Sequence, residues 1–265
     1  MNRTEDRSTG FDPAPAARRL AAAWRNGTLL TELPAVERPD TIADGYTVQA
    51  DVRRRLGEPV AGYKLGLANR LAMRKAGLAT PPTGVITGSR VHQSGARLPA
   101  PSGPILFELE VCFTVGAAVP AGGSAADKLA AMAEARLGIE LVRSRFADFT
   151  TVGLASFVAD DLGFDGYVLG DAIDRADWPS VFADYAEIAR SGAVVAPNVD
   201  GDARTDPVEA LSMFIDDAAA RGLPLTPGTI VSTGALVAPQ SSAAAGTYVG
   251  RLGDHRVSCE IAAAR

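Results

Sequence analysis

The sequence predicts an α+β fold, and three observations carry that expectation. From about Val85 onward the texture is rich in strand-like apolar runs. Helices interrupt those runs irregularly, without the steady alternation that builds a doubly wound parallel sheet. The hydrophobic content, 47% of 265 residues, supplies a core for one large domain, or for one domain with a small appendage.

In chain order, residues 1–12 read as a disordered lead, 13–75 as an N-terminal helical region and 76–265 as a β-rich core. Pro13 to Trp24 is rich in Ala, Arg and Leu and is expected to be helical, with Gly27 as its stop. A second helix begins near Thr41, where Asp44 three residues later suits a capping box. Val48, Val52 and Leu56 give it an i, i+4 apolar stripe, and Gly57 ends it. Val60 to Leu67 reads as a strand, Asn69 to Ala76 as a short helix, and Thr80 to Gly84 as a loop. Strands are then expected at Gly84–Ile86, Phe107–Val115, Leu137–Val142, Tyr167–Leu169, Gly192–Val195, Thr229–Ser232, Thr247–Leu252 and Val257–Ile261. Helices are expected at Ala125–Arg136, Ser180–Arg190 and Pro207–Arg221. The last is the best signalled: Asp206 suits an N-cap, Pro207 the first helical position, and Gly222 follows the end.

The composition excludes several classes. A formal net charge of -5 is the wrong sign for a nucleic-acid footprint. No apolar run approaches the ~20 residues that span a bilayer, so no membrane partner is expected. Met1 to Arg7 is polar and lacks the apolar stretch of a secretory signal. Two cysteines, Cys112 and Cys259, make no disulfide framework, and a reduced cytoplasm is the default. Two scattered histidines, His92 and His255, supply a zinc site poorly. There is no nucleotide-binding fingerprint and no G-x-S-x-G elbow.

Against this background three glutamates stand out. Glu108 and Glu110 lie in Phe107-Glu108-Leu109-Glu110-Val111-Cys112-Phe113, and Glu140 lies in Leu137-Gly138-Ile139-Glu140-Leu141-Val142. On a strand Glu108 and Glu110 share one face, with the apolar residues on the other. Two such charges drawn to ~5 Å repel by about 3 kcal/mol at an effective dielectric of about 20. That face is therefore wet, or it holds a cation. Taken alone, Glu-x-Glu on a strand is usually a solvated face, and Glu140 has Arg143, Arg145 and Lys64 as candidate ion-pair partners. If the three converge, an all-oxygen site selects Mg²⁺, Mn²⁺ or Ca²⁺. Lys64, in Ala61-Gly62-Tyr63-Lys64-Leu65-Gly66-Leu67, is either a snorkelling surface lysine or a cation that orients an anion or exchanges a proton. Asp160-Asp161, before Leu162-Gly163-Phe164-Asp165-Gly166, reads locally as a turn.

Read together, these segments resemble the 2-oxopent-4-enoate hydratase and 4-oxalocrotonate decarboxylase family of the fumarylacetoacetate hydrolase-like superfamily. The resemblance runs from about residue 14 to 263. It rests on Gly62 to Leu67, Phe107 to Phe113, Gly138 to Phe149, Gly166 to Gly170, Asp206-Pro207-Val208 with its helix, and Gly228 to Gly234, in that order and spacing. It implies a mixed β-roll or barrel with surrounding helices and a small N-terminal helical region. It implies a divalent cation, Mg²⁺ with Mn²⁺ as the alternative, on Glu108, Glu110 and Glu140. It implies Lys64 and Asp160 as catalytic residues, and Lys64, Leu67, Asp161, Phe164, Thr233 and Gly234 as substrate-binding ones. The implied activity is a lyase reaction, hydration of a 2-oxo-enoate or 2-hydroxy-2,4-dienoate to a 4-hydroxy-2-oxo acid. Decarboxylation of a 2-oxo-enedioate, or binding of a 2-oxo acid without catalysis, are the alternatives. A small-molecule 2-oxo acid and further copies of the chain, in a homo-oligomer, are the implied partners. The sequence departs from the family pattern at four places: Pro82 stands where an acid is common, Asp160-Asp161-Leu162-Gly163-Phe164 stands where the family has Asp-Asn-Ala-Ser-Ser and so keeps Asp160 but loses the small hydroxyls, Ala235 replaces a serine, and Arg143 stands where an aspartate is common.

Overall fold

The computed structural model describes residues 10–101, 103–242 and 244–263. Of the expected disordered lead only residues 10–12 fall among these, and they carry no regular structure; the rest of that lead lies outside the described residues. Helices α1 (Ala14–Asn26) and α2 (Ile42–Leu56) precede β1 (Val60–Leu65), α3 (Arg70–Ala76), β2 (Thr83–Thr87), β3 (Val91–Gln93), β4 (Ala96–Leu98) and β5 (Ile105–Val115). Next come α4 (Ala125–Ala130), β6 (Met132–Val142), α5 (Leu154–Ala159), β7 (Phe164–Ile173), α6 (Trp178–Val181), β8 (Ala186–Arg190), β9 (Ala193–Ala196) and α7 (Pro207–Arg221). Strands β10 (Ile230–Ala235), β11 (Gln240–Ser242), β12 (Gly246–Leu252) and β13 (His255–Ile261) complete the order. No helix among the described residues is long and apolar enough to cross a membrane.

The chain divides into two compact units. The smaller comprises the described part of Met1–Glu58 together with Ser144–Gly163; the larger comprises Pro59–Arg143 and Phe164–Arg265. The sequence placed the boundary near residue 75, because α3 looks like a continuation of the helical region. The division instead falls before β1, because β1 pairs in parallel with β10 and antiparallel with β2, which ties residues 60–65 to the sheet.

In the smaller unit α1 and α2 bury Ala17, Leu20, Val48 and Val52 with Phe146 and Ala159. The expected capping box at α2 forms: Thr41 Oγ1 accepts from Asp44 N at 3.1 Å, and the Asp44 carboxylate accepts from Thr41 N at 3.1 Å. Arg145 and Arg53 lie with their guanidinium carbons 4.2 and 4.8 Å from the Trp24 ring, within cation–π range.

The larger unit is built on two sheets. The first runs β2-β1-β10-β5-β6-β7-β3, with β11 on β5; the second runs β4-β13-β12-β8-β9. Their inner faces share one core, in which Leu109, Ile139, Val168 and Val231 meet Tyr248, Val257 and Ile188. The rings of Phe107 and Tyr248 stack across it at 4.0 Å. Helix α7 packs on the first sheet through Phe214, 5.4 Å from Tyr63. The expected α+β fold, with a curled sheet and surrounding helices, is borne out.

Two helices expected from the sequence are corrected. The run Ala125–Arg136 is helical only to Ala130. From Met132 the chain alternates, with Ala135, Leu137 and Ile139 buried, and pairs with β5 from Val115 to Leu106. Sheet pairing over a long core strand overrides the helical propensity of Ala, Glu and Arg. Likewise Ser180–Arg190 is not one helix. The helix is Trp178–Val181, and Ala186–Arg190 is β8, inserted between β12 and β9 with Ala186 and Ile188 facing inward.

Candidate metal centre

Alternation on β5 does what the sequence indicated. Phe107, Leu109, Val111 and Phe113 enter the core, and Glu108 and Glu110 turn to the opposite face. On β6, Leu137, Ile139 and Leu141 enter the core in the same way, leaving Glu140 on the glutamate face. The register places Glu108 directly opposite Glu140, and Glu110 opposite Gly138. Like charges directly opposite on adjacent strands are destabilising. One oxygen from each of Glu108, Glu110 and Glu140 nevertheless lies within 4.8 Å of the other two.

Lys64 arrives from β1, whose Tyr63 and Leu65 enter the core. It is 2% exposed, and its Nζ stands 2.9 Å from Glu140 Oε1. Of the three cations the sequence offered to Glu140, Lys64 is therefore the one it pairs with. Arg143 binds Asp165 at 3.0 Å, and Arg145 binds Asp160 at 2.5 Å.

One cation does not neutralise three carboxylates. Burial pushes Glu140 up to about 7, against the opposing pull of Lys64 and with a further push from Glu108. Glu110 is held well above the usual carboxylate range, first by burial and then by its neighbours Glu140 and Glu108. Glu108 is raised by burial, with Lys64 and a hydrogen bond to Glu110 pulling it down. Among the described residues Glu110 Oε1 and Glu140 Oε2 accept no hydrogen bond, although buried acceptors nearly always find a donor. A hard divalent cation answers both the excess charge and the orphaned oxygens, and three carboxylates form a suitable donor set for it.

Beside Glu108 opens a cavity of about 280 Å³, whose walls include Leu67, Ala68, Ala203, Gly234, Val237 and Pro239. Leu67 holds a left-handed φ of 53°, a strained conformation of the kind that gathers at functional sites. Gly234 sits at φ 101° within a register shift of β10 against β5. A Cβ there would stand 2.7 Å from Ala68 Cβ, so only glycine fits.

The remaining expected residues are placed as follows. Thr233 is buried, and its hydroxyl donates to Val111 O at 2.8 Å. Phe164 is buried at the start of β7. Asp160 and Asp161 lie in the smaller unit. The Asp160 carboxylate accepts from Ser144 Oγ at 2.6 Å and Arg145 N at 2.9 Å, besides Arg145 Nε. Asp161 pairs with Arg53. Sequence reasoning missed three polar residues: Ser232, Tyr167 and Thr205. Ser232 Oγ bonds Glu110 Oε2. Thr205 lines the cavity. A hydroxyl in the otherwise apolar Ile230-Val231-Ser232 run was the signal available for the first.

No family model matches the chain. The chain is similar to a 2-keto-4-pentenoate hydratase of Burkholderia vietnamiensis, 27% identical over 252 residues, with 90% of this chain and 93% of the relative covered. It is also similar to a 4-oxalocrotonate decarboxylase of Pseudomonas putida, 26% identical over 207 residues, covering 75% and 76%. Among solved structures, a 4-oxalocrotonate decarboxylase from Pseudomonas putida G7, complexed with magnesium and adipate, superposes with a TM-score of 0.84 at 23% identity, covering 98% of this chain and 100% of that one. The resemblance to hydratases and decarboxylases of this type is thereby borne out, and the fold is that of fumarylacetoacetate hydrolase-like proteins.

Proposed function

We propose that the protein is a Mg²⁺-dependent hydro-lyase that adds water to a 2-oxo-enoate, or to the 2-hydroxy-2,4-dienoate that tautomerises to it, giving a 4-hydroxy-2-oxo acid. The observation that carries this reading is the convergence of Glu108, Glu110 and Glu140 at a largely apolar cavity that Glu108 itself lines. Glu108, Glu110 and Glu140 would hold the ion, and Mn²⁺ suits the same oxygens. When bound, such an ion supplies Lewis-acid stabilisation of negative charge on the substrate's 2-oxygen.

The chain's own residues do the rest. Lys64 Nζ, fixed against Glu140, offers a positive charge to the substrate carboxylate and a proton to exchange with the dienol. The apolar walls around Leu67 receive the hydrocarbon tail and shield it from bulk water. The dienol gains a proton at its terminal carbon and loses the proton of its 2-hydroxyl, becoming a conjugated 2-oxo-enoate. Water then adds across the remaining carbon–carbon double bond with its oxygen at the end far from the 2-oxo group. We assign Asp160 to holding the Ser144–Arg145 backbone, since its oxygens are already engaged there.

Decarboxylation of a 2-oxo-enedioate is the second reading, supported by the likeness to the P. putida decarboxylases. The described cavity lining contains no lysine or arginine. A second carboxylate buried there without a partner costs several kcal/mol, which favours an uncharged tail and hence hydration.

The test is loss of dienoate absorbance in the ultraviolet with Mg²⁺, with EDTA, and with Glu108→Gln. Turnover with Mg²⁺, abolished by EDTA and reduced on the order of 10²-fold or more by the substitution, is the expected result. Turnover indifferent to chelation would overturn the reading, and CO₂ trapped from an enedioate would favour the second.

A further inference from the structure

We infer that Ser232 and Tyr167 form a hydroxyl chain that fixes Glu110 as a cation ligand; the inference rests on the metal-centre reading above. Tyr167 Oη and Ser232 Oγ are 2.7 Å apart, and Ser232 Oγ is hydrogen-bonded to Glu110 Oε2. All three side chains are fully buried, so their polar atoms must be satisfied from within the protein.

The direction of the chain follows from proton count. As a cation ligand Glu110 is ionised and only accepts, and a serine hydroxyl carries one hydrogen. Ser232 therefore donates to Glu110, and its oxygen accepts from Tyr167. Each link comes from a different strand: Glu110 from β5, Ser232 from β10 and Tyr167 from β7. Tyr167 reaches the others because position 138, on the intervening strand β6, is glycine. A Cβ there would stand 2.3 Å from Tyr167 Oη and 2.5 Å from its ring.

The arrangement divides the labour among the glutamates. Glu140 has Lys64 at 2.9 Å, whereas Glu110 is bonded to a neutral hydroxyl. With Oε2 held by Ser232, Oε1 is the oxygen left to coordinate. A donated hydrogen bond favours the ionised carboxylate and restricts its rotamer, which is what a partner behind a ligand contributes. Ser232 and Tyr167 are thus positioning residues, Tyr167 acting on Glu110 through its hydrogen bond to Ser232.

The experiment reads metal affinity without substrate, by Mn²⁺ titration followed by electron paramagnetic resonance, and by calorimetry with Mg²⁺. Ser232→Ala is expected to weaken binding on the order of 10- to 100-fold, the scale for removing a partner behind a ligand. Tyr167→Phe keeps the ring, and is expected to weaken binding by less. The double variant is expected to bind no more weakly than Ser232→Ala alone. Near-ultraviolet circular dichroism in EDTA checks that each variant keeps its tertiary packing, and Tyr167→Phe serves alone if Ser232→Ala does not fold. If the unsubstituted protein binds Mn²⁺ and the variants bind it equally well, the hydroxyl chain falls and the metal centre stands. It falls also if Tyr167→Phe weakens binding as much in the Ser232→Ala background as alone. If the unsubstituted protein binds no divalent ion, both readings fall.

Discussion

At the scale of single residues, sequence spacing located the carboxylates but not what stands behind them. Glu108 and Glu110 were legible because strand alternation fixes a face from local sequence alone. That Glu140 would stand opposite Glu108 depends on the β5–β6 register, which no local pattern encodes. Ser232 and Tyr167 were invisible for the same reason, since their meeting needs the four strands β10, β5, β6 and β7 in one order. Gly138 marks the cost of that meeting. Gly138→Ala places a methyl against the Tyr167 ring and hydroxyl, and overpacking of this kind costs about 1–3 kcal/mol. Urea denaturation in EDTA should show that loss in the midpoint with an unchanged slope. A midpoint equal to that of the unsubstituted protein would mean that the ring sits elsewhere.

At the scale of elements, helices with explicit end signals and strands with clear apolar alternation match the sequence expectation, as β5, β12 and β13 do, whereas Ala125–Arg136 and Ser180–Arg190, whose extent sheet pairing decides, do not. Helix α7 spans Pro207–Arg221 as expected, with the Asp206 carboxylate accepting from Val208 N at 2.9 Å and Glu209 N at 3.1 Å. Helix α2 likewise has its box and its left-handed Gly57. Both sets of signals are local, so propensity and outcome agree. Ala125–Arg136 had a start, with Ser124 and Asp127 forming a capping box, but no stop, and β5 decided where it ended. Strands β3, β4 and β11 have three residues each, too few for a periodicity to show. The cap on α7 can be measured. Asp206→Ala removes the acceptor for two backbone N–H groups and should cost about 1 kcal/mol, within the usual 0.5–2, read as a lowered melting temperature. Asp206→Asn, which keeps the acceptor, should recover most of it.

At the scale of the whole molecule, the sequence resemblance supplied the curled sheet and its helices, while the division into two units ran along no boundary that local sequence marks. Ser144–Gly163 joins the N-terminal helices although 85 residues separate it from Glu58, because Phe146, Val152 and Ala159 bury against Leu20 and Val48. The Arg145–Asp160 pair, both side chains almost fully buried, belongs to that smaller unit. All three carboxylates and Lys64 belong to the larger one. A ligand that binds only the folded form stabilises what it binds, by about 2.7 kcal/mol at a hundredfold excess over Kd. Stability is also distributed over cooperative segments that open separately. Saturating Mg²⁺ should therefore slow amide hydrogen exchange in β5, β6 and β10, which carry Glu108, Glu110, Glu140 and Ser232. Exchange in α1, α2 and α5, which supply no ligand, should be unchanged. Peptide-resolved mass spectrometry with and without the ion makes the comparison. Equal slowing in α1 and β5 would show that the ion's free energy is felt by the whole chain as one cooperative body, and unchanged exchange in β5 would place the ion away from the three glutamates.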